Sequence, residues 1–263
     1  MEQEKLEAIK QWTNDPCGSL YAKEHREGSK EFFEAFIKQR REIDVPWLKR
    51  LIDEIDVKNK LVLDIGCGMG SDLLNFAQNG ANVIGIDLVT KHLDLAKGLF
   101  AYNGYSAHFL KMDAESLSFA SNSVDIIYSF GVLHHTPNIQ KAISETHRVL
   151  KPKGLAIIGL YHRDSWHYWI NLIIIQGLVR GKLLRMSVND LLSTNVEFSR
   201  INAKPLVRVY SKRESRNLFK DFFDAKIKTY HWKSDQIYKL GRFLPPFLPP
   251  FFGWYIFISA RKR

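Results

Sequence analysis

Cysteine is scarce: 263 residues contain two, Cys17 and Cys67, fifty positions apart. Neither belongs to a metal-spacing pair, so a disulfide framework and a zinc module are both disfavoured and a reducing compartment fits. No run of about 18 apolar residues occurs, and no membrane-spanning helix is expected. The opening MEQEKLEAIK is charged and lacks an apolar h-region, so it is not expected to act as a signal peptide. A glycine-rich stretch begins at Gly66, but it lacks the GKS or GKT ending of a triphosphate-binding loop. No Cys/His/carboxylate cluster accompanies the histidines, and no metal site is expected.

What is present is an ordinary globular complement of 45% apolar residues, ample for one α/β core with an appended element. The net charge of +10 would suit nucleic acid, anionic lipid or acidic substrates, although a scattered solvated surface accounts for it equally simply. Much of it falls late, at Arg180, Lys182, Arg185, Lys204, Arg208, Lys212, Arg213, Arg216 and the terminal Arg261, Lys262 and Arg263.

The stretch Leu61 to Asp87 organises the chain. Leu61 to Ile65 is a short apolar run of the kind that forms a buried parallel strand. Gly66, Cys67, Gly68, Met69 and Gly70 make a tight turn, and Ser71 to Asn79 has helical spacing with Gly80 as its C-cap. Val83 to Ile86 is a second strand, ended by Asp87. Glycines at 66, 68 and 70 remove Cβ atoms where a ligand would meet the main chain, and a carboxylate at position 87 can accept hydrogen bonds from a ribose diol. Ser71 stands where a dinucleotide fingerprint would place its third glycine.

LVLDIGCGMG followed by VIGID resembles the first two motifs of the class I S-adenosylmethionine (SAM) methyltransferases, and further matches extend to about Leu160. The resemblance implies a Rossmann-like seven-stranded sheet, six strands parallel and the seventh antiparallel between strands five and six, with a helical cap inserted after strand five. It implies SAM as cofactor. Gly66, Gly68 and Gly70, with Cys67 beside them, would hold the methionine part and Asp64 its ammonium through water. Asp87 and Leu88 would face the ribose. Asp113 and Ala114, after a third strand over Ala107–Met112, would contact the adenine; the plainer alternative for Asp113 is a turn or N-cap residue. Phe130, ending a fourth strand over Val124–Phe130, completes the expected cofactor contacts.

The methyl acceptor is less legible. Asn-Pro-Pro-Tyr-like sequences mark methylation of exocyclic base amines in this family, and Ser129-Phe130-Gly131-Val132 stands there instead. Nucleic acid is therefore not favoured; RNA methylation and cofactor binding without catalysis remain alternatives. The expected acceptor is a small or lipid-like molecule, with O- or C-methylation favoured. His134, His135 and His162 are candidate bases, with structural roles equally open for the first two. Trp12 and Tyr21 either cover the acceptor or anchor the N-terminal arm, and Tyr161 is a candidate acceptor contact. Strand five is expected at Leu155–Leu160 after a Lys-Pro-Lys-Gly turn, strand six at Phe223–Trp232 and strand seven at Trp254–Ala260.

Residues 1–56 read as an N-terminal arm with helices, beginning with a helix over 2–11 whose Leu6 and Ile9 face inward. Residues 57–161 form the SAM-binding core, 162–210 the cap and acceptor insertion, and 211–263 the completion of the sheet. The apolar, then basic, segment 166–185 and the proline-aromatic run 243–252 are each candidates for a buried cap element, an acceptor pocket or contact with a membrane surface. The expected location is the cytoplasm, with such contact to the inner face of a membrane left open. The oligomeric state is not legible.

Overall fold

A computed structural model describes residues 2–197, 199, 201–230 and 252–263. Seven strands form one sheet: β1 (Leu61–Ile65), β2 (Asn82–Asp87), β3 (His108–Lys111), β4 (Val124–Phe130), β5 (Leu150–Tyr161), β6 (Phe223–Tyr230) and β7 (Tyr255–Arg261). Their order is β3-β2-β1-β4-β5-β7-β6. Strands β1 to β5 pair in parallel, and β7 runs antiparallel to both β5 and β6. This is the sheet expected from the sequence, with the seventh strand slotted between the fifth and sixth.

Alternation along each strand divides the core. Val62, Ile126, Tyr128 and Ile157 face one side, against α2 (Lys30–Lys38), α3 (Pro46–Asp53), α4 (Ser71–Gln78) and α5 (Thr90–Tyr102). Leu63, Ile65, Ile127 and Ile158 face the other, with α6 (Ile139–Val149) and residues following α8 (Lys212–Leu218). Proline at the first position of α3 sets the break foreseen at Pro46. Between α2 and α3 the chain makes wide π-type turns over Gln39–Asp44.

A third apolar cluster lies beyond the end of β5. There Tyr161, Tyr168, Leu172, Leu192, Val207, Val209 and Trp254 pack together. The segment carries π-type turns over His167–Val179 and the helix α7 (Val188–Asn195), opened by a reciprocal Ser187–Asp190 capping box. It leaves the sheet at Tyr161 and returns at Tyr210, where Tyr210 N–H donates to the Tyr161 carbonyl at 2.9 Å. The capping box expected at Ser211 and Glu214 opens α8. Among the described residues, no helix is long and apolar enough to cross a membrane.

Two expectations change, and a third falls partly outside the described residues. The helix α1 (Gln3–Asn14) buries Lys5, Ala8 and Gln11, while Leu6 is exposed. Its docked face is chosen by ion pairing of Lys5, which outweighs the burial of one leucine. Lys-Pro-Lys-Gly is not a turn before strand five but lies inside β5, which starts at Leu150. Lys153 adopts φ +63°, and its N–H donates to the Lys262 carbonyl at 3.0 Å, so β7 and the residue after it hold the kinked strand in the sheet. β6 is described to Tyr230; Trp232 and residues 243–251 of the proline-aromatic run lie outside the described residues.

Candidate active site

The carboxyl ends of β1, β2 and β4 meet where the strand order reverses, and a cavity of about 210 Å³ opens there. Its floor is the glycine turn. Gly66 and Cys67 donate N–H bonds to the Ile86 carbonyl at 2.8 and 3.0 Å, tying the turn to β2. Gly66 and Gly68 are both left-handed (φ +74° and +51°), for different reasons. A Cβ on Gly66 would lie 2.4 Å from both methyls of Val132, whereas one on Gly68 would meet nothing within 4 Å. Gly66 therefore serves packing, and Gly68 keeps a stretch of cavity free for a ligand to touch the backbone. Cys67 lines the cavity but its thiol turns toward Gly85, and burial pushes its pKa well above the usual thiol value.

Asp87 holds this turn in place. Its Oδ2 accepts from Gly68 N–H at 3.0 Å and lies 3.2 Å from His92 Nδ1, while its Oδ1 accepts from Val89 N–H at 2.9 Å. Burial opposes its charge, yet His92 and the two backbone donors hold its pKa below the ordinary aspartate value. Oδ1 keeps acceptor capacity toward the cavity, where Leu88 and Val89 also lie.

Asp64 sits deeper, 2% exposed, and its pKa is raised by burial and by the neighbouring Asp72 and Asp87. A cation placed in the cavity would relieve that cost. Asp72 is already paired: Arg40 Nε and Nη2 donate to its two oxygens at 3.1 and 2.7 Å, and the Tyr128 hydroxyl donates at 3.0 Å. The Arg40 guanidinium lies 5.0 Å from the Phe130 ring centroid.

Asp113 and Ala114 line the cavity at the end of β3. Asp113 Oδ1 accepts from Glu115 N–H at 2.9 Å, and Oδ2 pairs with Lys5 Nζ at 2.9 Å. Lys5 also donates to Glu115 Oε2 at 2.7 Å, and Glu115 Oε1 accepts from the Thr136 hydroxyl and Asn138 N–H. Burial opposes the Lys5 charge, but Glu115 and Asp113 hold its pKa above the ordinary lysine value. Thus α1 closes this edge of the cavity through one buried ammonium.

The remaining wall is aromatic and holds a second polar group. Phe36, Phe130, Tyr255, Tyr161, Trp12 and His135 contribute to it. His135 Nδ1 lies 2.6 Å from the Leu206 carbonyl, which fixes Nδ1 as the protonated nitrogen and leaves Nε2 basic. That Nε2 is 3.5 Å from Glu197 Oε1, which accepts from the Tyr161 hydroxyl at 2.8 Å. Burial lowers the His135 pKa, while Glu197 and the Leu206 carbonyl oppose the shift.

The other sequence candidates fall elsewhere. His134 is fully buried behind His135, against Tyr161, and does not line the cavity. Burial and the neighbouring His135 depress its pKa far below the usual value, so it is not placed to act as a base. His162 is also buried outside the cavity, with Nδ1 2.9 Å from the Gly253 carbonyl; it joins the start of the cap to β7. Tyr21 is 57% exposed on the short turn Ser19–Ala22 and does not reach the cavity. Trp12 does reach it, edge-on to the His135 ring at 4.8 Å. Lys5, Arg40, Asp72, Tyr128 and Glu197 escaped sequence reasoning. Only Asp72, next to the glycine turn, carried a positional signal.

Residues 63–158 match the family model described as a methyltransferase domain. The chain is 38% identical over 131 residues to an uncharacterized methyltransferase of Synechocystis, covering 49% of this chain and 60% of that protein. It is 34% identical over 111 residues to a ubiquinone biosynthesis O-methyltransferase of Bartonella tribocorum, covering 42% of this chain and 44% of that one. The aligned stretch thus spans about half the length of these curated relatives. Among solved structures, a SAM-dependent methyltransferase of Methanosarcina mazei matches with a TM-score of 0.56 at 22% identity, over 81% of this chain and 96% of that one. A chain from the complex of a Haloferax volcanii methyltransferase activator with a putative methyltransferase reaches 0.62 at 16% identity, over 96% of both. Residues 63–158 thus carry a methyltransferase domain, and the fold is shared with solved SAM-dependent methyltransferases.

Proposed function

We propose that this protein transfers a methyl group from SAM to a small-molecule or lipid-like acceptor, at oxygen or carbon. The observation that carries the reading is one continuous cavity running from the Gly68 opening and Asp87 to the His135–Glu197–Tyr161 group. The open space at Gly68 and the desolvated Asp64 fit the group that the family uses. Backbone groups of Gly66–Gly70 would hold its methionine part, Asp64 its ammonium, Asp87 the ribose, and Asp113 with Ala114 the adenine.

When bound, SAM supplies an electrophilic methyl on a sulfonium, so the protein's work is alignment and exclusion of water. Trp12 on α1 and the aromatic wall do the excluding. For a hydroxyl acceptor, His135 Nε2 takes the proton and Glu197 stabilises the resulting imidazolium. Tyr161 positions Glu197. For a carbon nucleophile already activated by its own ring, the same residues orient the acceptor.

Calorimetric titration of SAM into the wild type and Asp87→Ala tests the cofactor half. At least about a tenfold loss of affinity in the variant is expected, from the hydrogen bonds that Asp87 gives up. Labelled-methyl transfer to cell extract, split into lipid, small-molecule and RNA fractions, tests the acceptor half. Label in RNA alone overturns the acceptor class, and binding without transfer to any fraction overturns catalysis.

A further inference from the structure

The π-type segment His167–Val179 is apolar on all sides, but the protein covers only part of it. Tyr168, Leu172 and Gly177 are buried in the cap. On the outside, Trp169 is 50% exposed, Ile174 44%, Leu178 64% and Val179 76%. Spacings of five and then four residues between Trp169, Ile174 and Leu178 suit one face of a helix whose hydrogen bonds reach five residues back, as Arg180 N–H does to the Ile175 carbonyl.

The chain then doubles back. Gly181, at φ +67°, ends the helix. The short turn Lys182–Leu184 folds onto Gly177, where a Cβ would lie 2.6 Å from Leu183 Cδ1. Leu183 is thereby tucked in, and Leu184 is left 90% exposed beside the helix end. Packing inside the cap gives no reason for Leu178, Val179 and Leu184 to stand in water together.

The charges that this segment itself carries have one sign. Between Asp164 and Asp190 the sequence holds no acidic residue, and its basic ones are Arg180, Lys182 and Arg185, all at the exposed end of the helix. Aliphatic side chains, an exposed tryptophan and a one-signed basic rim match the layers of an anionic bilayer surface: acyl boundary, interface and phosphate. A protein partner would need acids complementary to all three cations as well as an apolar groove.

We propose that Trp169, Ile174, Leu178, Val179 and Leu184, rimmed by Arg180, Lys182 and Arg185, form a docking face for an anionic lipid surface. The segment lies on the bilayer and does not span it. Its inner side packs in the same cluster as Tyr161, so docking sets the cap, and with it the acceptor end of the cavity, against the membrane.

Co-sedimentation of the full-length protein with phosphatidylcholine vesicles, with and without about one-third phosphatidylglycerol, tests this. Binding to the anionic vesicles is expected, weakening with added salt. Leu178→Ser with Leu184→Ser, both at exposed positions that leave the core intact, should abolish it. Replacing Arg180, Lys182 and Arg185 together with glutamine should weaken it on the order of a hundredfold, at roughly fivefold per charge. Absence of binding by the folded wild type overturns the proposal, as does binding that neither variant weakens. Sedimentation velocity supplies a further check: a dimer lost in Leu178→Ser/Leu184→Ser, without vesicle binding, would assign the face to a second copy of the chain and overturn it too. None of these readouts uses cofactor or acceptor, so their failure leaves the methyl-transfer reading standing.

Discussion

Replacing Lys5 with methionine keeps the stem of the side chain and removes its charge. The Lys5 side chain is 10% exposed, and its ammonium bonds Glu115 and Asp113 at 2.7 and 2.9 Å. Breaking a buried pair costs about 3–5 kcal/mol when the remaining charge has no other partner. Here Glu115 keeps the Thr136 hydroxyl and Asn138 N–H, and the Asp113 side chain is 31% exposed. The expected cost is therefore smaller, about 2–3 kcal/mol. Because Lys5 ties α1 to Asp113 and Glu115, the loss should fall first on the docking of that helix. Amide protection in Gln3–Asn14 should drop by roughly 30- to 150-fold, while β1 and β4 keep theirs.

The pH dependence is fixed in sign. Lys5 has a raised folded pKa, so its contribution is complete below the ordinary lysine value and is lost only as the pH climbs through the higher folded one. Glu115 has a lowered folded pKa, so its contribution is complete above the ordinary glutamate value and is lost as the pH falls through the lower folded one. The gap between wild type and Lys5→Met should be flat through neutral pH and narrow in acid, below about pH 4. Hydrogen exchange followed by mass spectrometry reads both. Unchanged protection of α1 in the variant would refute the buried latch.

Four further outcomes are expected. Gly66→Ala should destabilise the fold by about 2–4 kcal/mol, because the new Cβ meets Val132 and the left-handed backbone is strained; Gly68→Ala should cost only about 1–2 kcal/mol yet weaken SAM binding by filling the cavity. Urea unfolding and calorimetry on the pair separate these effects, and equal stability losses would count against the assignment. Arg40→Met leaves Asp72 buried without its cation, holding only hydroxyl donors such as Tyr128, and should cost about 2–4 kcal/mol in urea unfolding, a loss that lysine at position 40 recovers incompletely for want of the bidentate fork. His135→Gln should lower transfer to a hydroxyl acceptor by about 10²–10⁴ without changing SAM affinity. In Glu197→Gln the acid limb of the rate profile should move to lower pH, because the carboxylate that raises the His135 pKa is gone; a limb that stays in place rules His135 out as the base.

The half of the cavity built on the glycine turn was legible because its signals are local. A strand, three glycines, a helix and a strand ending in Asp87 occupy one continuous stretch, and left-handed φ values at 66, 68 and 70 restrict those positions to glycine. Short, nearly continuous apolar runs marked the central strands, since burial on both faces leaves little choice of residue. The capping box at Ser211 was readable for the same reason: its partners are three residues apart.

The rest of the cavity wall was not legible, because its partners are distant in sequence. Lys5 meets Glu115, Arg40 meets Asp72, and His135 meets Glu197. Nothing in the local pattern around a lysine or a glutamate says which opposite charge the fold will bring to it. His134 and His135 make the point at closest range. As neighbours in sequence they were equivalent candidates, but the tight turn Leu133–His135 aims one ring into the core behind Tyr161 and the other into the cavity. The sequence by itself determined the sheet, the glycine turn and the kind of cofactor it suits, through steric rules acting over a few residues. Which charges are paired, which histidine faces the cavity and which side of the cap stays uncovered were decided only when the sheet brought remote segments within contact distance.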